Sequence, residues 1–398
     1  MPVIPALHVI AIGGDHQFAH IVPVACEIHR RGTCAVSIYA PCVDDAAAIE
    51  RLAHGLGLPV PPIVVMDLPR AIARHVPRKL TKLTRLLAWA GRLRAADAIL
   101  CAERTSTLLK RLPGRCPPLI HIPHGAGDRA VGFERRISLF DSVLVAGAKD
   151  RDRLIAQGVV APQRCAVAGP IKVAAMLRRT ADRPALFDNG LPVLLYNPHF
   201  DGKLGSFSVF TRRLVEAIGN DGRYNLVIAP HVRMAQGWDA ARRRQWQALA
   251  VPGRIIVDLG SERSTDMTYT LGADLYIGDV SSQVYEFLVR PRPCLFVDAH
   301  AATWQDNEDY AMWRFGPVIT PDCDIAASIA QGFRDHALYR PFQEERTRSA
   351  LDGVDWTADG AISFGRQDPI DRAAGLVETL LASAARPQLG DQLAPMPV

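Results

Sequence analysis

The sequence is short of several things, and each shortage removes a class of protein. Its eight cysteines (Cys26, Cys34, Cys42, Cys101, Cys116, Cys165, Cys294 and Cys323) form no C-x-x-C pair and have no histidine spaced for a zinc cluster. Neither a disulfide framework nor a structural metal is expected, and the thiols read as reduced core residues. No run of about 18 uninterrupted apolar residues occurs, so no spanning helix is expected. The opening, MPVIPALHVIAIGG, lacks a basic leader and a small-residue cleavage site, which makes a cytoplasmic protein the expectation. Lysine supplies only 6 of the 46 cationic residues, a mark of GC-rich coding rather than of function. No aromatic-interleaved basic strand appears, which disfavours nucleic-acid binding.

What is present fits a globular protein. The chain has 398 residues, 48% apolar and 22% charged, enough to bury a sizeable core in two domains. Its +5 net charge is unevenly placed: residues 1–190 carry 26 Lys/Arg against 15 Asp/Glu, and residues 191–398 carry 20 against 26. The first half therefore suits an anionic acceptor or membrane surface better than the second.

Short apolar runs bounded by Gly, Pro or Asp recur at Leu7 to Ile12, Ala35 to Tyr39, Ile63 to Met66, Ala98 to Cys101, Leu119 to Ile122, Ser142 to Val145 and Cys165 to Val167. Helical stretches such as Phe18 to Arg31 and Asp150 to Gln157 lie between most of them, and this alternation predicts βαβ units on a parallel sheet. The polar, proline-bearing stretch from Arg178 to Pro192 reads as a linker. The rhythm then restarts at Val193 to Tyr196, Asn225 to Ala229, Arg254 to Val257, Leu275 to Ile277 and Cys294 to Val297. Two doubly wound α/β domains are expected, 1–180 and 181–384, facing across a cleft, with a loose tail at 385–398. Between Arg70 and Arg94 there are eight Lys/Arg and no acid, and Leu80, Leu83, Leu86, Leu87, Ala90 and Leu93 recur at helical spacing. This basic amphipathic helix suits either an anionic bilayer or the face of the sheet.

Open α/β sheets bind ligands at the carboxyl ends of their strands. At one such end Asp279, Ser281 and Ser282 precede Glu286: the hydroxyls, near a helix N-terminus, suit a phosphate, and Glu286 suits ribose hydroxyls. A Ser N-cap with an acidic first turn is the plainer reading. At another end stands His121-Ile122-Pro123-His124-Gly125-Ala126-Gly127-Asp128, where His124 can act as a general base and Gly125 lets backbone approach a ligand; a turn histidine is the plainer reading. His231 ends a third strand, and its imidazolium would stabilise phosphate charge. Gly13-Gly14-Asp15-His16 lacks the full G-x-G-x-x-G spacing and its later acid, so a nicotinamide site is poorly supported. His16 and His20 share a helix face but have no third ligand, and Asp150-Arg151-Asp152 reads as acids favoured by a helix start.

Taken in order, the His124-Gly125 loop, the linker, Tyr196-Asn197-Pro198-His199, the strand ending in His231, and Asp279-Val280-Ser281-Ser282 followed by Tyr285-Glu286-Phe287 resemble the CDP-glycerol glycerophosphotransferase family, which includes teichoic acid polymerases. The likeness runs from about residue 115 to 380, includes Asp352-Gly353, and is strongest at 275–300. It implies the GT-B fold, His124 as the acceptor-activating base, His231 as a second histidine near the phosphates, and Ser281, Ser282 and Glu286 as the CDP-binding set, with Asp279, Gly125 and Asn197 beside them. Three departures leave the donor open: Val280 stands where Tyr is usual, Val232 where Pro is usual, and Gly169-Pro170-Ile171-Lys172-Val173 lacks the usual Arg and Asp.

The resemblance implies transfer of glycerol phosphate, a related polyol phosphate or a sugar from a nucleotide-activated donor, CDP-glycerol first among them. No cofactor is expected to be tightly bound, and no metal is required. The acceptor would be a hydroxyl of an anionic, polymeric or lipid-linked surface polymer, met at the inner face of the membrane. Two alternatives stay open: an enzyme like UDP-N-acetylglucosamine 2-epimerase, which needs cleft carboxylates that the sequence does not single out, and a non-catalytic GT-B nucleotide-binding protein.

Overall fold

The computed structural model describes residues 4–69, 74–77, 80–179, 185–357, 360–365 and 367–385. The first lobe is a seven-stranded parallel sheet of β1 (Ala6–Ile10), β2 (Ala35–Ala40), β3 (Ile63–Val65), β4 (Ala98–Cys101), β5 (Leu119–His121), β6 (Ser142–Val145) and β7 (Cys165–Val167), in the order β3-β2-β1-β4-β5-β6-β7. The second has six parallel strands, β8 (Val193–Asn197), β9 (Asn225–Ile228), β10 (Ile255–Val257), β11 (Leu275–Gly278), β12 (Cys294–Val297) and β13 (Val318–Ile319), in the order β10-β9-β8-β11-β12-β13. β14 (Val354–Trp356) and β15 (Ile362–Phe364) form a separate antiparallel pair. In both large sheets the order reverses beside the first strand, the switch point at which such folds open a crevice.

The connecting helices are α1 (Asp15–Arg31), α2 (Val43–Gly55), α3 (Thr81–Ala88), α4 (Ala90–Leu93), α5 (Ala148–Ala156), α6 (Ile171–Arg178), α7 (Phe207–Asp221), α8 (Ala240–Gln247), α9 (Thr268–Gly272), α10 (Gln283–Phe287), α11 (Ile325–Ala350) and α12 (Pro369–Ala385). Sequence chemistry sets their ends. α1 opens with Asp15, favoured by the N-terminal dipole, and stops at Gly32, whose φ of 67° and whose N–H bonds to the Ile28 and His29 carbonyls make a left-handed C-cap. Strands such as β4 and β8 are buried along their whole length, as expected of strands covered on both faces.

Two sequence expectations change here. The basic stretch does not form one helix from 70 to 94: α3 and α4 break at Trp89, and residues 70–73 and 78–79 lie outside the described residues. Leu86 and Leu93 are fully buried under the sheet. Many of the cations are engaged: Lys82 pairs with Glu103 at 2.6 Å, Arg85 donates to the Met66 carbonyl, and Arg94 donates to the Pro113 and Arg115 carbonyls. Among the described residues of this stretch, Leu80 and Leu87 are the strongly exposed hydrophobics. The boundary expected at 384 does not follow the packing either, because α12 crosses back onto α1 and α6 of the first lobe. Arg31 fastens it there, 2.9 Å from Glu378 and donating to the Asp371 carbonyl. Part of the linker, 180–184, and the tail from 386 onward fall outside the described residues. No described helix is long and apolar enough to cross a membrane.

Candidate active site

The residues that follow β4, β5, β6, β8, β9 and β11 meet at the seam between the lobes and enclose a cavity of about 300 Å³. The first lobe contributes Arg104, His121, His124, Gly125, Gly127, Arg129, Phe133 and Asp150; the second contributes His199, Phe200, His231, Arg233, Ser281 and Ser282. His124, Gly125, His231, Ser281 and Ser282, far apart in the chain, therefore share one space. The lobes touch where the loop passes Ser282. A Cβ on Gly125 would come within 2.9 Å of Ser282 Oγ, and one on Gly127 within 2.9 Å of Ser282 Cβ. Gly125 also has φ 87°, so glycine is required there twice over.

Desolvation sets the protonation of this site. Burial holds His231 at about 3 and His121 at about 3, and burial reinforced by Arg129 and Arg233 holds His199 at about 4. Both nitrogens of His199 face donors, the Asp201 N–H at 3.1 Å and Arg129 Nη1 at 2.9 Å; a neutral ring can accept from only one of them, and an imidazolium from neither. His124 opens into the cleft, yet surrounding protein still lowers its pKa, and the His16 ring stands edge-on to it with centroids 5.4 Å apart. His231 is thus a neutral ring near neutral pH rather than the expected imidazolium. Its Nδ1 accepts from the Arg233 N–H at 3.2 Å, which leaves Nε2–H as its donor. Permanent positive charge comes instead from arginines. Arg129 reaches across the seam to His199, and Arg233 lies 4.2 Å over the Phe200 ring, itself 4.9 Å from the His231 ring. Arg104 on the opposite wall pairs with Glu134 at 2.7 Å.

Three expected nucleotide contacts are engaged elsewhere. Asp279 is fully buried; one oxygen accepts from the His199 and Ser206 N–H groups at 2.8 and 3.0 Å, and the other has no partner. Burial raises its pKa to about 6. It locks the loop after β8 to the end of β11 and does not face the cavity. Asn197 is buried too, its amide donating to the Ala229 carbonyl at 2.6 Å and its oxygen accepting from Tyr276 at 3.2 Å. Glu286 lies behind Ser282 in a smaller cavity of about 30 Å³, where Lys172 of the first lobe binds Oε1 at 2.7 Å and Oε2 is left without a partner. The helix dipole also counts for less than expected, because α10 has only five residues and Ser281 Oγ already accepts from Gln283 N at 3.4 Å.

Sequence reasoning missed His199, Arg129 and Arg233. Arg129 ends the same glycine loop as His124, and Arg233 follows His231 by two residues, so both were signalled by position beside a strand end. Asp150, read as a helix-start acid, is also a buried cavity-wall carboxyl whose pKa burial raises, with Lys149 Nζ 2.8 Å away. Among the described residues, no group of three or more His, Cys, Asp or Glu side chains is placed to hold a metal ion.

No family model matches the sequence, and no curated protein matches it. Solved structures do. A Listeria monocytogenes protein assigned as a UDP-N-acetylglucosamine 2-epimerase superposes with a TM-score of 0.63 at 13% identity, covering 97% of this chain and 99% of that one. The UDP-GlcNAc 2-epimerase of Neisseria meningitidis, bound to UDP-GlcNAc, gives 0.60 at 14% identity over 95% and 99% of the two chains. The wall teichoic acid polymerase TagF gives 0.59 at 12% identity over 95% and 88%. At these identities the likeness concerns architecture, and the chain has the GT-B arrangement of two Rossmann-like lobes that these enzymes share.

Proposed function

We propose that the protein is a transferase that moves a glycerol-phosphate, related polyol-phosphate or sugar unit from a nucleotide-activated donor to an acceptor hydroxyl. The observation that carries this reading is the interlobe cavity of about 300 Å³ whose lining brings His124 together with Ser281, Ser282, His231 and the guanidinium groups of Arg129 and Arg233. Two planar guanidinium groups suit a pyrophosphate, and the serine hydroxyls and the His231 Nε2–H add donors for its oxygens. His124, neutral because its pKa is lowered, is ready to accept a proton. In the reaction with CDP-glycerol, His124 takes the acceptor hydroxyl proton, and the acceptor oxygen forms a bond to the glycerol-bearing phosphorus. The bond from that phosphorus to the bridging oxygen breaks, and CMP leaves with its new charge held by Arg129 and Arg233. With a sugar donor the same attack falls on the anomeric carbon. The basic first lobe suits an anionic, lipid-linked or polymeric acceptor, and exposed Leu80 and Leu87 beside basic residues suit contact with an anionic membrane surface.

A second reading, a UDP-N-acetylglucosamine 2-epimerase-like enzyme, draws support from Asp150, a cleft carboxyl of the kind that proton transfer at a sugar carbon requires. Titration with CDP-glycerol, UDP-GlcNAc and CMP, followed by nucleotide release on adding acceptor, separates the readings. Transfer consumes acceptor and frees nucleotide, epimerisation changes only the sugar, and a protein that binds none of the three is neither.

A further inference from the structure

Asp128 does not line the cavity, yet it joins the two lobes. Its carboxylate has no solvent exposure. On its own lobe Lys149 Nζ donates to Oδ1 at 3.0 Å, and the same ammonium holds the carbonyls of Ala126 and Gly127 at 2.9 and 3.3 Å. From the opposite lobe the Tyr285 hydroxyl lies 2.8 and 2.9 Å from its two oxygens, and Arg346 Nη2 lies 3.2 Å from Oδ1. Arg153 extends the seam by donating to the Asp128 carbonyl and, at 2.8 Å, to Asp309 of the second lobe.

His124 sits four residues upstream on a segment, 122–129, that forms neither helix nor strand. Gly125 and Gly127 lie between the two residues, so the loop has little stiffness of its own. Its geometry has to come from Asp128 and Lys149. Separating the lobes would remove Tyr285 and Arg346 from a carboxylate that burial makes costly to leave unpaired, and each hydrogen bond to a charged group shifts an equilibrium by about tenfold or more.

We propose that Asp128 is a positioning residue: it ties the loop carrying His124 to Tyr285 and Arg346 of the opposite lobe, so that the base is held in place only while the lobes are closed. The part given to His124 rests on the function proposed above; the dependence of the loop on the opposite lobe does not.

The test uses full-length protein with carbon-13 in the histidine rings, the His124 resonance being assigned by its loss in His124→Gln. Tyr285→Phe removes one hydroxyl from the other lobe, and Asp128→Asn is the companion variant. Arg340→Ala, on the exposed face of α11, is the control. The expected result is a His124 resonance that shifts and broadens in Tyr285→Phe, with a larger radius of gyration in solution scattering, while in the control both stay as in wild type. An unchanged His124 resonance in Tyr285→Phe overturns the proposal, and so does a loss of thermal stability unaccompanied by any change at His124. Should Asp128→Asn not fold, Tyr285→Phe decides alone. If CDP and UDP leave the wild-type spectrum untouched, the nucleotide reading fails while the loop measurement keeps its meaning.

Discussion

The two walls of the cleft are built on the same strand order but are held in place by different means. On the second lobe, buried Asp279 pins the His199 loop to the end of β11, and Asn197 ties β8 to the residues that follow β9, so the backbone of the wall that carries His199, His231 and Arg233 is fixed from within its own lobe, with Arg129 touching His199 across the seam. On the first lobe the His124 loop is irregular, and its one buried carboxylate finds two of its side-chain partners across the seam. A preformed wall faces an assembled one. Under the proposed function, such a pair would bind the donor before it organises the base, which would protect an activated donor from water.

The largest expected effect falls on the assembled wall. His124→Ala should lower turnover by about 10² to 10⁴-fold with little change in nucleotide affinity, as checked by steady-state kinetics beside calorimetric titration. Equal losses in both would place His124 in binding rather than chemistry. On the preformed wall, Arg233→Met should weaken nucleoside-diphosphate binding by about ten- to a hundredfold, the worth of a hydrogen bond between charged groups, and should flatten its salt dependence. Asp279→Ala leaves two buried N–H groups without an acceptor and should cost about 2 to 4 kcal/mol of stability, read as a fall in the urea midpoint.

Acid provides a comparison of the whole cleft. His121, His199 and His231 have folded pKa values of about 3, 4 and 3, below the ordinary 6.5, so the unfolded chain binds more protons between those limits. Their contribution to stability is present in full above pH 6.5 and is lost as pH falls toward 3, at up to about 1.4 kcal/mol per pH unit for each ring. Urea midpoints between pH 7 and pH 4.5 should therefore fall more steeply in wild type than in His121→Phe or His231→Phe. Parallel curves would mean that these rings are not held neutral. Gly127→Ala should also lower the urea midpoint, because its methyl group would meet Ser282 Cβ at 2.9 Å, beside the backbone, and the lobes would have to part to admit it.

Much of the scaffold was legible in the sequence because its strands are short apolar runs bounded by Gly, Pro or Asp; β4, β6, β7 and β12 lie where the runs do. β13 and the β14–β15 pair were not legible, because two or three residues of strand carry no periodicity. The meeting of His124, His231, Ser281 and Ser282 was inferable from strand ends alone. Their electrostatics were not. Whether His231 is charged depends on burial by chain segments far away in sequence, and whether Glu286 is free depends on Lys172, more than a hundred residues upstream. Asp279 and Asn197 have residue types suited to a ligand, but in the folded chain both serve the backbone. The return of α12 to the first lobe was not legible, because the Arg31–Glu378 pair joins opposite ends of the sequence.

The central claim is that the interlobe cavity receives a nucleoside diphosphate on its arginines. Calorimetric titration of wild type, Arg129→Met and Arg233→Met with CDP and UDP tests it most directly. Saturable one-site binding is expected in wild type, weakened by about tenfold or more in each variant. Binding of equal strength in all three proteins, or none in wild type, would contradict it.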